Sequence, residues 1–435
     1  MSDLPLPQGW KDEPLSTLVE RLESGVSVNS EDKPCAPDEF GILKTSCVNG
    51  GKFDPSQNKV IVANEVFRAA LNPRADSVLV SRMNTFDLVG ETAYVGGDFP
   101  NLFVPDRLWQ TVLRGGLETS TKWLSFVVQS PEFRAGVSRA ATGTSGSMKN
   151  ISQGSYLAIR TRIPPPPQQR RIAEILTTVD EAMEQTEALV GKLEQMKAGL
   201  MHDLFTRGVT PDGHLRPTRQ EAPHLYHPTP LGWLPKEWEV SCCANQFEID
   251  SGITLGPHRR PNKSPHPYLR VANVHRDRLE LEDVAQLEAT PSEIAGDCLK
   301  TYDLLVVEGH ANRNEIGRCA MVFENAEGML FQNHLFRLRP NRLKPRMALL
   351  WMNSFHAQSY WESKCATSSG LNTINRKLLG AMPVLVPPSA EQEWISEAAY
   401  SLRDRIAVET THLAKLRQQK QGLMQDLLTG RVRVG

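Results

Sequence analysis

The sequence predicts an α/β (mixed α+β) fold built twice: two pseudo-repeated globular units, each followed by a long α-helix, with the two helices forming an antiparallel coiled coil. Three observations predict it. One set of short motifs recurs at a slowly drifting offset, two helical tails share one heptad seam, and prolines separate each globular stretch from its tail. At 435 residues the chain is about three times a ~150-residue domain, so several cores are expected. Hydrophobic residues at 40% and charged residues at 23% are ordinary globular usage, which excludes global disorder and a coiled coil throughout.

The repeat is explicit. Leu6-Pro7-Gln8-Gly9-Trp10 returns as Leu234-Pro235-Lys236-Glu237-Trp238, and Ser24-Gly25 returns as Ser251-Gly252. Leu79-Val80 matches Leu305-Val306, Ser130 matches Ser354, and Ser145-Gly146 matches Ser369-Gly370. Ile163-Pro164-Pro165 then matches Val386-Pro387-Pro388, and Gly199-Leu200-Met201 matches Gly422-Leu423-Met424. The offset falls from 228 to 223 along the chain, the trace that a tandem duplication with small loop deletions leaves.

The globular halves contain short β-branched runs bounded by Gly, Asn or Arg: 77–80, 303–307 and 320–323 read as strands. Trp123 to Gln129 and Met347 to Phe355 read as short buried helices. Strand order does not follow from the sequence.

Pro164 to Pro167 end the first globular segment, because proline lacks a donor and pushes its predecessor out of the helical region. Beyond them a four-three spacing runs through Ile172, Leu176, Val179, Met183, Thr186, Val190, Leu193, Lys197, Leu200 and Leu204. The second tail reads Ile395, Ala399, Leu402, Ile406, Glu409, Leu413, Leu416, Lys420, Leu423 and Leu427, its polar exceptions aligned with those of the first. Eight of ten positions are apolar in each tail, a heptad seam. A rod of roughly 50 Å exceeds the diameter of a ~150-residue domain, so the two seams are expected to bury each other. The connecting residues, with prolines at 211, 217, 223, 228 and 230, give the chain room to reverse, which would place one globular unit at each end of the rod.

Several chemistries are excluded. No GxxxxGK[ST] string is present to cradle a nucleotide phosphate, and neither HExxH nor paired Cys or His at metal spacing occurs. Glu31-Asp32-Lys33 and Glu362-Ser363-Lys364 are the only Glu-x-Lys triplets, and neither lies in an apolar strand as a nuclease would need. The Asn-Pro-Pro-aromatic or Asp-Pro-Pro-aromatic tetrapeptide of adenine methyltransferases is missing. The seven cysteines are expected as free thiols, and no apolar run approaches a membrane span, so the chain is expected to be cytoplasmic. We therefore expect no catalysis, metal or cofactor in this chain.

Lys plus Arg (49) balance Asp plus Glu (50), so any nucleic-acid signal must be local. Arg259, Arg260, Lys263, Arg270, Arg276 and Arg278 lie between His258 and Arg278 with Asp277 as the only acid, a candidate phosphate-tracking loop. Asn312, Arg313 and Asn314 follow an apolar strand, and Arg and Asn are the side chains that read guanine and adenine edges bidentately. The first half offers Lys44, Lys52, Arg82, Asn84, Lys149 and Asn150, and Arg376 with Lys377 completes the candidate DNA-binding set.

Two globular halves opened by Leu-Pro-x-x-Trp, closed by a Thr-Ser-Gly or Thr-Ser-Ser-Gly loop and a proline stop, and followed by matched heptad helices resemble the specificity (S) subunit of Type I restriction-modification systems. The resemblance covers nearly the whole chain. It rests most specifically on Thr144-Ser145-Gly146 with Thr367-Ser368-Ser369-Gly370, on 163–169 with 386–392, and on 199–206 with 422–429. It implies target recognition domains over 1–162 and 234–386, spacer helices over 163–208 and 387–430, and a Pro-rich linker over 209–233. Each recognition domain would read one half of an asymmetric bipartite double-stranded DNA target. The helical pair would set their separation and dock two methyltransferase subunits. S-adenosylmethionine, ATP and Mg2+ would then be used by those modification subunits and by restriction/translocase subunits. The acidic Glu31-Asp32 and Asp38-Glu39 depart from a DNA-facing surface, and no base-contacting residue carries over by motif. A duplicated-domain DNA-binding scaffold or regulator outside any restriction-modification system is the alternative class, and a DNA enzyme with an unrecognised site is a third.

Overall fold

The computed structural model describes residues 5–143, 148–365 and 372–434, in two compact units: Met1–Ala188 with Thr410–Gly435, and Leu189–Glu409. Ser145-Gly146 and Ser369-Gly370, with their neighbouring threonines, lie outside the described residues.

In the first unit a four-stranded antiparallel sheet has the order Thr92–Val95, Ser77–Ser81, Leu108–Leu113, Val19–Ser24. Ser77–Ser81 is central and buried along its whole length, which is why it reads as a continuous β-branched run rather than an alternating one. Leu102–Phe103 pairs in parallel with Gly41–Leu43 in a second small sheet. The helix Thr121–Gln129 covers the main sheet with Trp123 fully buried, and Ser120 caps it by accepting the Trp123 N–H at 3.2 Å.

In the second unit the sheet order is Phe247–Ser251, Leu335–Pro340, Leu304–Val307, Cys319–Met321, again antiparallel throughout. Read from the other edge, this is the strand order of the first unit. Pro265–Leu269 pairs in parallel with Leu330–Phe331, as the corresponding strands of the first unit do. The strand expected at 320–323 is shifted to Cys319–Met321. The helix expected at 347–355 is two helices, Pro345–Met352 and Phe355–Lys364, because Ser354 caps a new one by accepting the Ala357 N–H. Ser130, its match in the first half, starts Pro131–Ala140 in the same way.

The repeated Ser-Gly pair has a steric reason. A Cβ on Gly25 would stand 1.6 Å from the Val104 carbonyl oxygen, and one on Gly252 2.2 Å from that of Phe331. Only glycine lets these backbones approach.

The long helices are Pro166–Thr206 and Ser389–Thr429, 41 residues each. The first begins inside the proline run, since prolines in a first turn forfeit no intrahelical hydrogen bond. None of the twenty seam positions is exposed. Within the first unit Asp180 pairs with Lys420 at 2.6 Å and Glu187 with Arg417 at 2.8 Å, so one helix ascends as the other descends. Ile172 and Leu176 share a core there with Leu427 and Leu428. Within the second unit Leu204 and Phe205 share a core with Ile395 and Ala399.

Two motifs of the repeat meet in each unit. The Trp10 indole N–H donates to Gln168 at 2.8 Å. The Trp238 indole donates to Glu391 at 2.8 Å, and Glu391 also pairs with Arg216. Gln169 donates to the Pro164 carbonyl at 2.9 Å and accepts the Ser120 N–H at 3.0 Å. Gln392 does the same with Pro387 at 2.9 Å and Lys344 at 2.8 Å. Each long helix therefore leaves its globular unit through a glutamine clamp.

The segment 209–233 is built into the second unit: Arg216 bonds Glu391 and Glu237, and Tyr226–Thr229 pairs with Gly232–Pro235. All seven cysteines are free thiols, and burial pushes that of Cys47 up to about 12.

Candidate nucleic-acid interface

In the first unit the central strand continues past Ser81 into Arg82, Met83 and Asn84. There Lys149 pairs opposite Asn84 and Asn150 opposite Met83 in a two-stranded antiparallel ladder. Arg82, Asn84, Lys149 and Asn150, far apart in sequence, are thus brought to one edge. The ladder is anchored by Ile151 N–H to the Arg82 carbonyl at 3.0 Å and by mutual bonds between Thr142 and Asn150 at 2.8 and 2.9 Å. Lys149 Nζ reaches the Gly143 carbonyl at 3.0 Å. The Nε of Arg82 and Oδ1 of Asn150 have no hydrogen-bond partner among the described residues.

The second unit builds the same ladder from Gly309–His310 and Asn372–Thr373. The turn that follows carries Asn312, Arg313 and Asn314, all exposed. His310 Nδ1 accepts the Asn312 N–H at 3.0 Å, Asn312 Oδ1 accepts the Asn314 N–H at 3.1 Å, and Arg313 donates to the Glu362 carbonyl at 2.9 Å. Arg276 donates to the Asn314 carbonyl at 2.8 Å and so supports the turn from beneath. Arg376 and Lys377, beyond the second ladder strand, are exposed, and Arg376 lies 4.0 Å from Asp250.

Other candidates are engaged elsewhere. Lys52 pairs with Glu184 at 3.3 Å and Glu187 at 3.4 Å on the first long helix. The Arg417 hydrogen bond, with Lys52 beside it, holds the Glu187 carboxyl below its usual range. Lys44 pairs with Asp32 at 3.5 Å, and Lys59 with the same carboxylate at 3.1 Å, while Glu31 pairs with Lys33 at 3.1 Å, so the Glu31-Asp32 end of the acidic stretch is neutralised internally. Arg259 grips Glu293 through both oxygens at 2.5 and 2.8 Å. That hydrogen bonding, with the Thr290 N–H and hydroxyl, takes the Glu293 carboxyl down to about 2. Arg270 pairs with Asp283 at 2.7 Å and Arg278 with Glu280 at 3.6 Å, whereas Arg260 and Lys263 are exposed. The basic run thus supplies internal ion pairs as well as free surface charge.

Sequence reasoning missed Phe86, Leu88 and Met148, exposed beside the first ladder, and the Glu308–His334 pair at 2.9 Å beside the second. Aromatic and aliphatic residues in a mixed run carry no signal that separates this edge from a core. Among the described residues no group of three or more His, Cys, Asp or Glu could hold a metal ion, and no helix is long and apolar enough to cross a membrane.

No family model matches the chain. Over 99% of its length it is 24% identical to the type I restriction enzyme EcoKI specificity subunit of Escherichia coli K12, covering 90% of that protein. It is 24% identical to the StySPI specificity subunit of Salmonella potsdam over 89% of this chain and 80% of that one. The chain is a relative of the type I restriction enzyme specificity subunits. Its fold agrees with theirs: the S subunit of a type I restriction-modification system from M. genitalium superimposes with a TM-score of 0.55 at 14% identity, covering 98% of both chains. A chain from a structure of type I R-M complex assembly and conformational transition also gives 0.55 at 14% identity, over 99% of this chain and 100% of that one.

Proposed function

We propose that this chain is the DNA sequence-specificity subunit of a Type I restriction-modification complex. Residues 1–162 and 234–386 are its target recognition domains, each reading one half of an asymmetric bipartite double-stranded target. Residues 163–208 and 387–430 are the spacer, an antiparallel coiled coil, and 209–233 is the connection between the halves.

The observation that carries this reading is one plan used twice with different chemistry at the same edge. Both units extend their central strand into a polar ladder, one bearing Arg82, Asn84, Lys149 and Asn150, the other leading to Asn312, Arg313 and Asn314. Different side chains on equivalent scaffolds read different bases, because Arg and Lys suit guanine and Asn suits adenine. Arg260, Lys263, Arg376 and Lys377 are surface charges suited to phosphate. A 41-residue helix spans about 60 Å, enough to separate two half-sites by one or more turns of about 34 Å.

The chain is non-catalytic in this reading. Methyl transfer, DNA cleavage and translocation belong to two modification subunits and to restriction subunits, which hold S-adenosylmethionine, ATP and Mg2+. The setting is cytoplasmic, in defence against incoming phage DNA. The test is reconstitution: the purified chain should neither methylate nor cut DNA, while its addition to the modification subunit should confer methylation confined to a split motif. Methylation by this chain alone, or a modification subunit whose specificity does not change when it is added, would overturn the proposal.

A further inference from the structure

The two ladder edges differ in one respect beyond their polar groups. In the second unit the turn after the ladder, Ala311-Asn312-Arg313-Asn314, presents no large apolar side chain. In the first, the loop after Asn84 is Thr85-Phe86-Asp87-Leu88, with Phe86 54% and Leu88 43% exposed. Met148, 44% exposed, precedes Lys149 on the partner strand.

This apolar rim is held rigidly. Asn84 Oδ1 accepts the Thr85 N–H at 2.9 Å, and the Thr85 carbonyl accepts the N–H groups of Leu88 at 3.1 Å and Val89 at 2.9 Å. Arg134, from Pro131–Ala140, donates to the carbonyls of Asp87 and Val89, both at 2.8 Å. Val89 is buried in the core, so the loop is pinned on both sides while its two largest side chains face water. A tight loop with its own arginine brace, spent on exposing a phenylalanine, makes little sense for solubility. It makes sense if Phe86 meets an apolar group on a ligand that Asn84 and Lys149, which share one face of the ladder, also contact.

Duplex DNA offers one such group at base edges, the C5 methyl of thymine in the major groove. It lies across the base pair from the adenine edge that asparagine reads. We infer that Phe86 is a specificity-determining residue of the first recognition domain, packing on the C5 methyl of a thymine whose paired adenine, or that of a neighbouring pair, is read by the Asn84 amide. The turn of the second domain carries no large apolar side chain at the equivalent place, so it offers no counterpart of this contact. The inference rests on the reading of the chain as a DNA-specificity subunit and adds the chemistry by which one half-site is chosen.

The test uses the full-length chain with its modification subunits and a duplex carrying the split target that the complex methylates. Each thymine is replaced in turn by deoxyuridine, which removes only the methyl group, and affinity is measured for wild type, Phe86→Ala and Arg313→Ala. At one thymine the wild-type complex should lose about fourfold in affinity, the fold-change that burying one methyl group is worth. Phe86→Ala should bind the thymine duplex about as weakly as wild type binds the deoxyuridine duplex, and should lose nothing further on substitution. Arg313→Ala should keep the methyl penalty intact. Phe86 is exposed, so an unchanged melting temperature for Phe86→Ala confirms that folding is not the cause. If no thymine shows a methyl penalty that Phe86→Ala removes, or the half-site bound by the first recognition domain has no A·T pair, the inference fails while the specificity reading stands. If the wild-type complex methylates no split target, that reading fails and takes the inference with it.

Discussion

The indole N–H of Trp238 donates to the Glu391 carboxylate at 2.8 Å, where its counterpart Trp10 donates to the neutral amide of Gln168 at the same distance. The charge in the second unit is answered by Arg216, whose side chain is nearly as buried as that of Glu391. Gly208, at φ +67°, ends the first long helix against this cluster, where any Cβ would strike Glu391 and Trp238. Gly430 closes the second helix against Pro7 and Trp10 in the first unit.

Removing the acceptor should therefore cost the two units unequally. Glu391→Ala takes the acceptor from the buried Trp238 indole and leaves Arg216 only the exposed Glu237 as a carboxylate partner, and should destabilise the second unit by about 3–5 kcal/mol. Gln168→Ala loses one neutral hydrogen bond and should cost the first unit about 1–2 kcal/mol. Urea denaturation followed by tryptophan fluorescence checks this, and equal losses would contradict it.

The Arg259–Glu293 pair makes stability depend on acid pH. Hydrogen bonding by Arg259 and Thr290 lowers the folded carboxyl from 4.5 to about 2, so the folded state favours the ionised form. The contribution is fully present above pH 4.5 and is lost as pH falls toward about 2. Arg259→Ala should lower the melting temperature near neutral pH and flatten its decline between those limits. A decline as steep as that of wild type would show that Glu293 does not titrate with folding.

Salt dependence should sort phosphate contacts from internal pairs. Lys263→Ala should reduce the slope of log affinity against log salt by about 1, as the loss of one phosphate contact does. Lys52→Ala should leave the slope unchanged, because Lys52 is paired with Glu184 and Glu187. The reverse ranking would place Lys52 on the DNA.

Of the two ion pairs between the long helices in the first unit, Asp180–Lys420 is the more buried and should matter more from its acidic side. Burial already lowers the Lys122 ammonium, and Asp180 opposes that shift. Asp180→Asn deprives both lysines of a carboxylate and should destabilise the first unit by about 1.5–3 kcal/mol. Lys420→Leu extends the apolar seam and leaves Asp180 facing Lys122, so it should cost less than Asp180→Asn. Urea denaturation of the two variants decides, and a costlier Lys420→Leu would contradict the account.

The heptad seams were legible because periodicity survives without tertiary context: Ile172 and Leu176, Ile395 and Leu427 are buried where the spacing put them. The motifs at Trp10, Gln169 and their counterparts were legible as repeats but not as contacts, since Trp10 and Gln168 are 158 positions apart. Candidate site residues were less legible. A charge looks the same in sequence whether, like Arg259, it grips a carboxylate or, like Arg260, it faces water. Phe86 was illegible because Thr85-Phe86-Asp87-Leu88-Val89 resembles a core run, and its exposure follows from the folded loop, which the Thr85 carbonyl closes and Arg134 holds from a position distant in sequence.

Long-read sequencing of base modifications, in the source genome with this gene intact and deleted, tests the central claim most directly. The account predicts a split, asymmetric motif with methyladenine in both parts that disappears on deletion and returns on complementation. An unchanged methylation pattern, in cells whose modification subunit is expressed and active, would contradict it.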